Sequence, residues 1–294
     1  MFGSVTRAAS LVALVALVGC STAASSAPSS TEDPGGIATE ADAASEGSPE
    51  AGAPLDAGDA GSDASLTEHA KQLVTVTSAD WTAVPATLSR YEATGPGGAW
   101  SEVGASFPVV LGHAGLGWGN GVHPSTPPAG APIKHEGDGR SPAGLFEIKT
   151  AFGYALPAQS SWIKLQYLQA TSDLHCVDDS ASRYYTQTLY RSSLPTSGPA
   201  APDWSSSETM LRSDNLYRIG AIVGHNTSNT IPGGGSCIFL HVWGGPGSTT
   251  VGCTAGDEAN MHALLEWLDP SANPLIVQLP QATYDSLKSS WALP

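Results

Sequence analysis

The sequence is short of charge, and shorter still of base. Only 13 % of its 294 residues are charged, and 12 Lys and Arg stand against 27 Asp and Glu, for a net charge of −15. An ordinary soluble domain carries about 25 % charged residues. Phosphate contacts need a basic face, so nucleic acid is excluded as a partner. Long apolar runs are missing too. The best of them, Leu11–Val18, falls far below the roughly 20 residues that span a bilayer. There is no Cys-x-x-Cys, His-x-His or His-Glu-x-x-His, so His113, His123, His135, His175 and His225 offer no recognisable metal-ligand set. They read as surface or loop histidines, and no metal or cofactor is expected. The 33 Gly and 22 Pro argue against a helical bundle, and there is no internal repeat.

What charge there is sits unevenly. Residues 1–65 hold one base, Arg7, and nine acids, net −8; residues 66–294 hold 11 bases and 18 acids, net −7. Arg7, the apolar core and Gly19-Cys20 together describe an export signal over residues 1–20. Its end resembles a bacterial lipobox, in which Cys20 becomes the lipidated first residue of the mature chain. The alternative is an ordinary signal with a chance cysteine. Each buried CH₂ of an acyl chain adds roughly 0.8 kcal/mol of attachment, so a multiply acylated cysteine anchors firmly to a membrane. Residues 21–65 contain no aromatic and no base, and Ile37 and Leu55 are their only large aliphatics. Such a stretch cannot build a core and is expected to act as a disordered tether, spanning roughly 35–40 Å.

From Leu66 onward the texture changes, and residues 66–294 read as a single mainly β domain. Short apolar stretches (Leu73–Thr77, Phe107–Leu111, Leu145–Ile148, Ile219–Val223, Cys237–Val242, Leu275–Leu279) alternate with Gly/Pro/Ser/Asn turns. That pattern predicts a sandwich or barrel-like β architecture with one or two short helices. Both faces of the 237–242 stretch are largely apolar, so it is expected inside a sheet, with His241 near its end. Met261, Leu264, Leu265 and Leu268 recur at helical spacing between Asp257-Glu258 and Pro270, which predicts a helix. Thr82–Arg90 is ambiguous between a short helix and no helix, given Pro85.

His241 and Cys253 lie twelve residues apart around a Gly-rich loop. A histidine at a strand end can meet such a cysteine as base and nucleophile. A free thiol titrates near 8.5, so a neighbouring imidazole or positive helix end is needed to favour thiolate. Gly252 removes a side chain where a carbonyl would approach, and N–H groups there could hold an oxyanion. By spacing alone, a buried structural cysteine and a satisfied histidine explain the residues better.

Two motifs resemble the L,D-transpeptidase catalytic-domain family, peptidoglycan enzymes with a cysteine nucleophile. One is Ile238-Phe-Leu-His241 followed by Thr250-Val-Gly-Cys253; the other is Gly137-Asp-Gly-Arg-Ser-Pro-Ala-Gly-Leu-Phe146. Asp178-Asp179, Trp204-Ser-Ser-Ser-Glu-Thr-Met210 and Asn226 look like features of its exported branch. The resemblance covers roughly Leu73 to Leu279. It implies that His241 takes the proton of Cys253, whose thiolate attacks the third residue of a stem tetrapeptide. N–H groups around Gly252 and Cys253 hold the oxyanion, D-alanine leaves, and a thioester remains. An amine from a second stem then gives a cross-link; water gives a tripeptide, making the enzyme an L,D-carboxypeptidase. A wall-binding lipoprotein with an inactive catalytic fold is the alternative of another class. The chain departs from the family pattern in carrying Val251 where a second histidine is usual and Ala255 where an arginine is usual.

The resemblance also organises the rest. With Cys20 lipidated and Cys253 free, Cys176 and Cys237 remain, and an oxidising compartment leaves them able to pair or stay reduced. A bridge would bring Asp178 and Asp179 towards the cleft, to bind a stem amine or to cap turns. Arg140 is a candidate for a substrate carboxylate or for a structural ion pair. Glu208 and Tyr217 are expected to border the pocket, and Trp243 to form its wall. The implied partners are peptidoglycan stem peptides and, through the lipid, a membrane of the bacterial cell envelope.

Overall fold

The computed structural model describes residues 66–95 and 97–294; the export signal (1–20), Cys20 and the tether (21–65) lie outside the described residues. The strands are β1 (Gln72–Ser78), β2 (Pro85–Ala93), β3 (Trp100–Glu102), β4 (Phe107–Val110), β5 (Leu116–Trp118), β6 (Ser141–Gly153) and β7 (Gln166–Gln169). They continue with β8 (Leu174–Cys176), β9 (Thr188–Tyr190), β10 (Glu208–Thr209), β11 (Ile219–Val223), β12 (Phe239–Val242) and β13 (Thr254–Gly256). Helix α1 (Glu258–Trp267), β14 (Leu275–Pro280) and helix α2 (Gln281–Leu287) complete the chain.

Eight strands run side by side in the order β1-β14-β6-β11-β12-β13-β4-β2, and β2 pairs back onto β1. The sheet therefore closes into a mixed barrel, which removes its open edges. The mainly β expectation holds, and the barrel is the form it takes. β1/β14 and β12/β13 are parallel, whereas β14/β6, β6/β11 and β11/β12 are antiparallel. β8 lies between β9 and β10 in a separate small sheet.

Strands β1 and β14 are rich in Val, Ile, Leu and Thr, and β14 is buried along its whole length. A strand with both faces buried needs cover on the side away from the barrel interior. Helix α2 packs on β14 and β1, and α1 on β11 and β12. Asp257 caps α1 by accepting the Ala259 N–H, and Met261, Leu264 and Leu265 are its buried residues, as the spacing predicts. The ambiguous Thr82–Arg90 segment is strand β2, and Pro85 is its first residue, where a missing N–H is tolerated. Ala86 and Leu88 point inward and the strand pairs with both β1 and β4. These long-range pairings override a local sequence that had no clear period.

Two of the histidines read as surface or loop residues are instead buried braces. His123 Nδ1 accepts the Leu145 N–H at 2.9 Å, which leaves Nε2–H to donate to Gly119 O at 3.2 Å. His225 Nδ1 accepts from Asn120 N and its Nε2 donates to Gly234 O. Burial lowers the pKa of both, that of His225 to about 3, so both are neutral. Gly144 is required beside His123: its φ is +135°, and a Cβ there would come within 2.0 Å of the imidazole.

Candidate functional site

Strand β12 separates two cores. Ile238, Leu240 and Val242 join the main cluster, while Cys237 and Phe239 join a second one that contains Cys176, Tyr217 and Cys253. His241 shares parity with Phe239, so it faces the second cluster. β13 runs parallel to β12 with Ala255 opposite His241, which puts the side chain of Cys253 on that same face. The strand is shorter than the 237–242 stretch suggests, because Cys237 has φ +54° and stands before it.

Cys253 and His241 line one cleft of about 190 Å³, with Tyr217, Arg212, His113 and Val251 among its other walls. That is below the roughly 300–1,000 Å³ of sites that engulf a small molecule, so the cleft suits the reacting end of a longer substrate. Both side chains are buried, Cys253 at 4 % and His241 at 5 % exposure. His241 Nδ1 lies 2.8 Å from Val242 O. A carbonyl only accepts, so Nδ1 carries the hydrogen and Nε2 keeps its lone pair. The thiol accepts the Phe239 N–H at 3.3 Å and turns its own weak donor to Cys237 O at 3.6 Å.

No hydrogen bond joins this sulfur to the imidazole, and the resting pair is uncharged. Burial pushes the thiol up to about 12, with the nearby Glu208 carboxylate adding to the effect. Burial likewise pushes His241 down to about 4. A standing thiolate is therefore disfavoured, because it would be a buried anion with a carboxylate for a neighbour. What remains is a neutral thiol and a neutral imidazole lining one cleft.

The two motifs, far apart in the chain, meet here. Ser141 Oγ donates to Cys253 O at 2.9 Å while accepting the Gly112 N–H at 2.9 Å. Thr250 Oγ1 donates to the same carbonyl at 2.6 Å and accepts the Gly252 N–H at 3.1 Å. Behind them Gln278 bridges Thr254 and Pro142. Gly252 has φ +154°, and a Cβ there would sit 3.2 Å from Arg140 O and from Ile238 Cδ1. Its glycine therefore serves loop packing, and its N–H, already given to Thr250, is not a free oxyanion donor. Ser141→Ala orphans the Gly112 N–H and weakens the hold on Cys253. The expected loss is about 1–3 kcal/mol of stability, read by chemical denaturation; a loss below about 0.5 kcal/mol would rule the clamp out.

The remaining expected site residues divide. Tyr217 lines the cleft, its ring centroid 5.0 Å from that of His241. Glu208 stands behind it, accepting its hydroxyl at 2.8 Å. Arg140 is elsewhere employed: its Nη1 donates to Ala114 O and Leu116 O, a structural tie rather than an open cation. Asn226 is fully buried and ties Asn120 to Ile231 and Gly235, so it shapes a loop. Cys176 and Cys237 are bridged, yet Asp178 and Asp179 do not line the cleft; they accept hydrogen bonds from Ser206 and Ser205. Trp243 is half-buried, its backbone N–H donates to Gly256 O, and it does not line the cleft.

Arg212, His113 and Leu216 line the cleft without having been predicted. Arg212 and Asp214 sit two residues apart in a stretch with no period, and no sequence signal ties them to Cys253. Val251, 73 % exposed, stands at the cleft, and Ala255 has no exposure at all. Among the described residues no group of His, Cys, Asp and Glu is arranged to hold a metal, and no helix is long and apolar enough to cross a membrane. No protein-family model, curated protein or solved structure matches the chain.

Proposed function

We propose that the cleft carries a cysteine acyltransferase of the L,D-transpeptidase kind, acting on peptidoglycan stem peptides. The observation that carries this reading is the placement of Cys253 beside a neutral His241 in one cleft, with the other two described cysteines bridged. The Cys176–Cys237 bridge also favours an oxidising compartment, in keeping with export and a lipid anchor at Cys20. In the first step Nε2 of His241 takes the thiol proton as the S–C bond forms on the substrate carbonyl. The oxyanion collapses, the amine of D-alanine leaves with the proton from the imidazolium, and a thioester remains. An amine of a second stem attacks the thioester, restoring the thiol and forming the cross-link.

A carbapenem supplies a strained carbonyl that the same thiol opens. Intact mass of the protein is expected to rise by one inhibitor, and Cys253→Ala is expected to abolish the rise. An adduct that survives this substitution would overturn the assignment. Incubation with tetrapeptide muropeptides is expected to yield a cross-linked dimer. Tripeptide alone would move the reading to a hydrolase, and unchanged substrate to a wall-binding protein.

A further inference from the structure

Arg212 is the only lysine or arginine among the residues that line the cleft with Cys253. Its guanidinium is held from two sides and its backbone from a third. The carbon at its centre sits 4.8 Å over the Tyr217 ring, an arrangement that fixes the plane of the group. Asp214 accepts from Nε at 3.0 Å and from Nη2, and Asp214 is itself fixed by the Leu216 N–H at 3.1 Å. The backbone of Arg212 is tied at both N and O to the Tyr154 hydroxyl at 3.1 Å. Asp214 therefore uses the side-on edge of the fork. Nη1 makes no hydrogen bond among the described residues, and the end-on edge stays open.

A planar fork with one edge satisfied and the other free is a preorganised receptor for a second carboxylate. We propose that Arg212 is the specificity determinant of the cleft, selecting an electrophile that carries a carboxylate close to the carbon Cys253 attacks. In the acyl-transfer reading, on which the identity of the electrophile rests, that carboxylate belongs to the departing residue of the donor stem. The preference for an anion does not depend on that reading. Arg212 acts on binding and orientation; the proton still passes between Cys253 and His241.

Two alkylating reagents of nearly equal size separate the two ideas. Iodoacetate and iodoacetamide both place a CH₂ on sulfur, the S–C bond forming as iodide leaves and the thiol proton passes to base, but only the first is an anion. The ratio of their rates at Cys253 is measured in the intact domain by mass spectrometry, in wild type, Arg212→Gln and Arg212→Lys. Arg212→Gln is expected to lower the iodoacetate-to-iodoacetamide ratio about tenfold, the scale of one charge-assisted hydrogen bond. Arg212→Lys is expected to recover part of it, because it keeps the charge and loses the fork. The use of a ratio cancels general changes in thiol reactivity. An equal ratio in wild type and Arg212→Gln overturns the proposal. A lowered ratio together with no carbapenem adduct keeps the anion site and overturns only the acyl-transfer reading.

Discussion

Replacing His241 by glutamine is expected to slow acylation of Cys253 by a carbapenem about 10²–10⁴-fold at neutral pH, the usual scale of a lost general base. The thiol alone cannot compensate. With its pKa pushed up to about 12, about 10⁻⁵ of it is ionised at pH 7. The wild-type imidazole, pushed down to about 4, is in its basic form above that pH. Wild type should therefore show a plateau across the neutral range, with an acid limb near pH 4. The variant reacts only through spontaneously formed thiolate, so its rate should climb about tenfold per pH unit towards the thiol pKa. A pH–rate profile distinguishes the two shapes. A flat profile in His241→Gln would remove the histidine from the proton path. The acid limb must be read on brief exposure. The folded pKa of His241 lies below its unfolded value of 6.5, so the fold loses stability as pH falls from about 6.5 to about 4, by about 3 kcal/mol in total.

Loss of the Cys176–Cys237 bridge is the second large effect. The two cysteines are 61 residues apart in sequence, and closing a loop of that length stabilises by about 4 kcal/mol on the chain-entropy account. For a domain of this size that corresponds to a fall in Tm of about 8–16 °C, measured on the Cys176→Ser, Cys237→Ser double variant. The site should suffer as well. Cys176 pairs in register with Glu208, Glu208 holds the Tyr217 hydroxyl, and Cys237 O faces the thiol of Cys253. Added reductant should lower the Tm of wild type and leave that of the double variant unchanged. A fall of less than about 3 °C in both tests would mean that the bridge does little for the fold.

The fold was legible where strands announce themselves by composition. Ile219–Val223 coincides with β11, and the helical spacing of Met261, Leu264 and Leu265 coincides with α1. It was illegible where pairing decides. β2 has a proline at its start and no strong period, and it exists because β1 and β4 hold it on both sides. Closure of the barrel through β1 and β2 leaves no local trace at all. At the site, the two motifs that resemble the family singled out Cys253 and His241; spacing alone favoured a structural cysteine, because the eleven residues between β12 and β13 do not fix where the thiol points. Arg140 misled because an isolated arginine in a turn looks free in sequence; only coordinates reveal the carbonyls that occupy it. Arg212 was missed for the opposite reason, since the chain returns to the cleft there through a long segment without regular structure.

Leu73 of β1 lies beside Leu275 of β14, so the first strand of the barrel waits for the last. Protein synthesis at about 5–20 residues per second separates the two by about 10–40 s. Throughout that interval β1 lacks its native partner on one flank. A ribosome stalled before β14 should hold a chain that proteases cut freely, and a circular permutant starting at β14 should mature sooner.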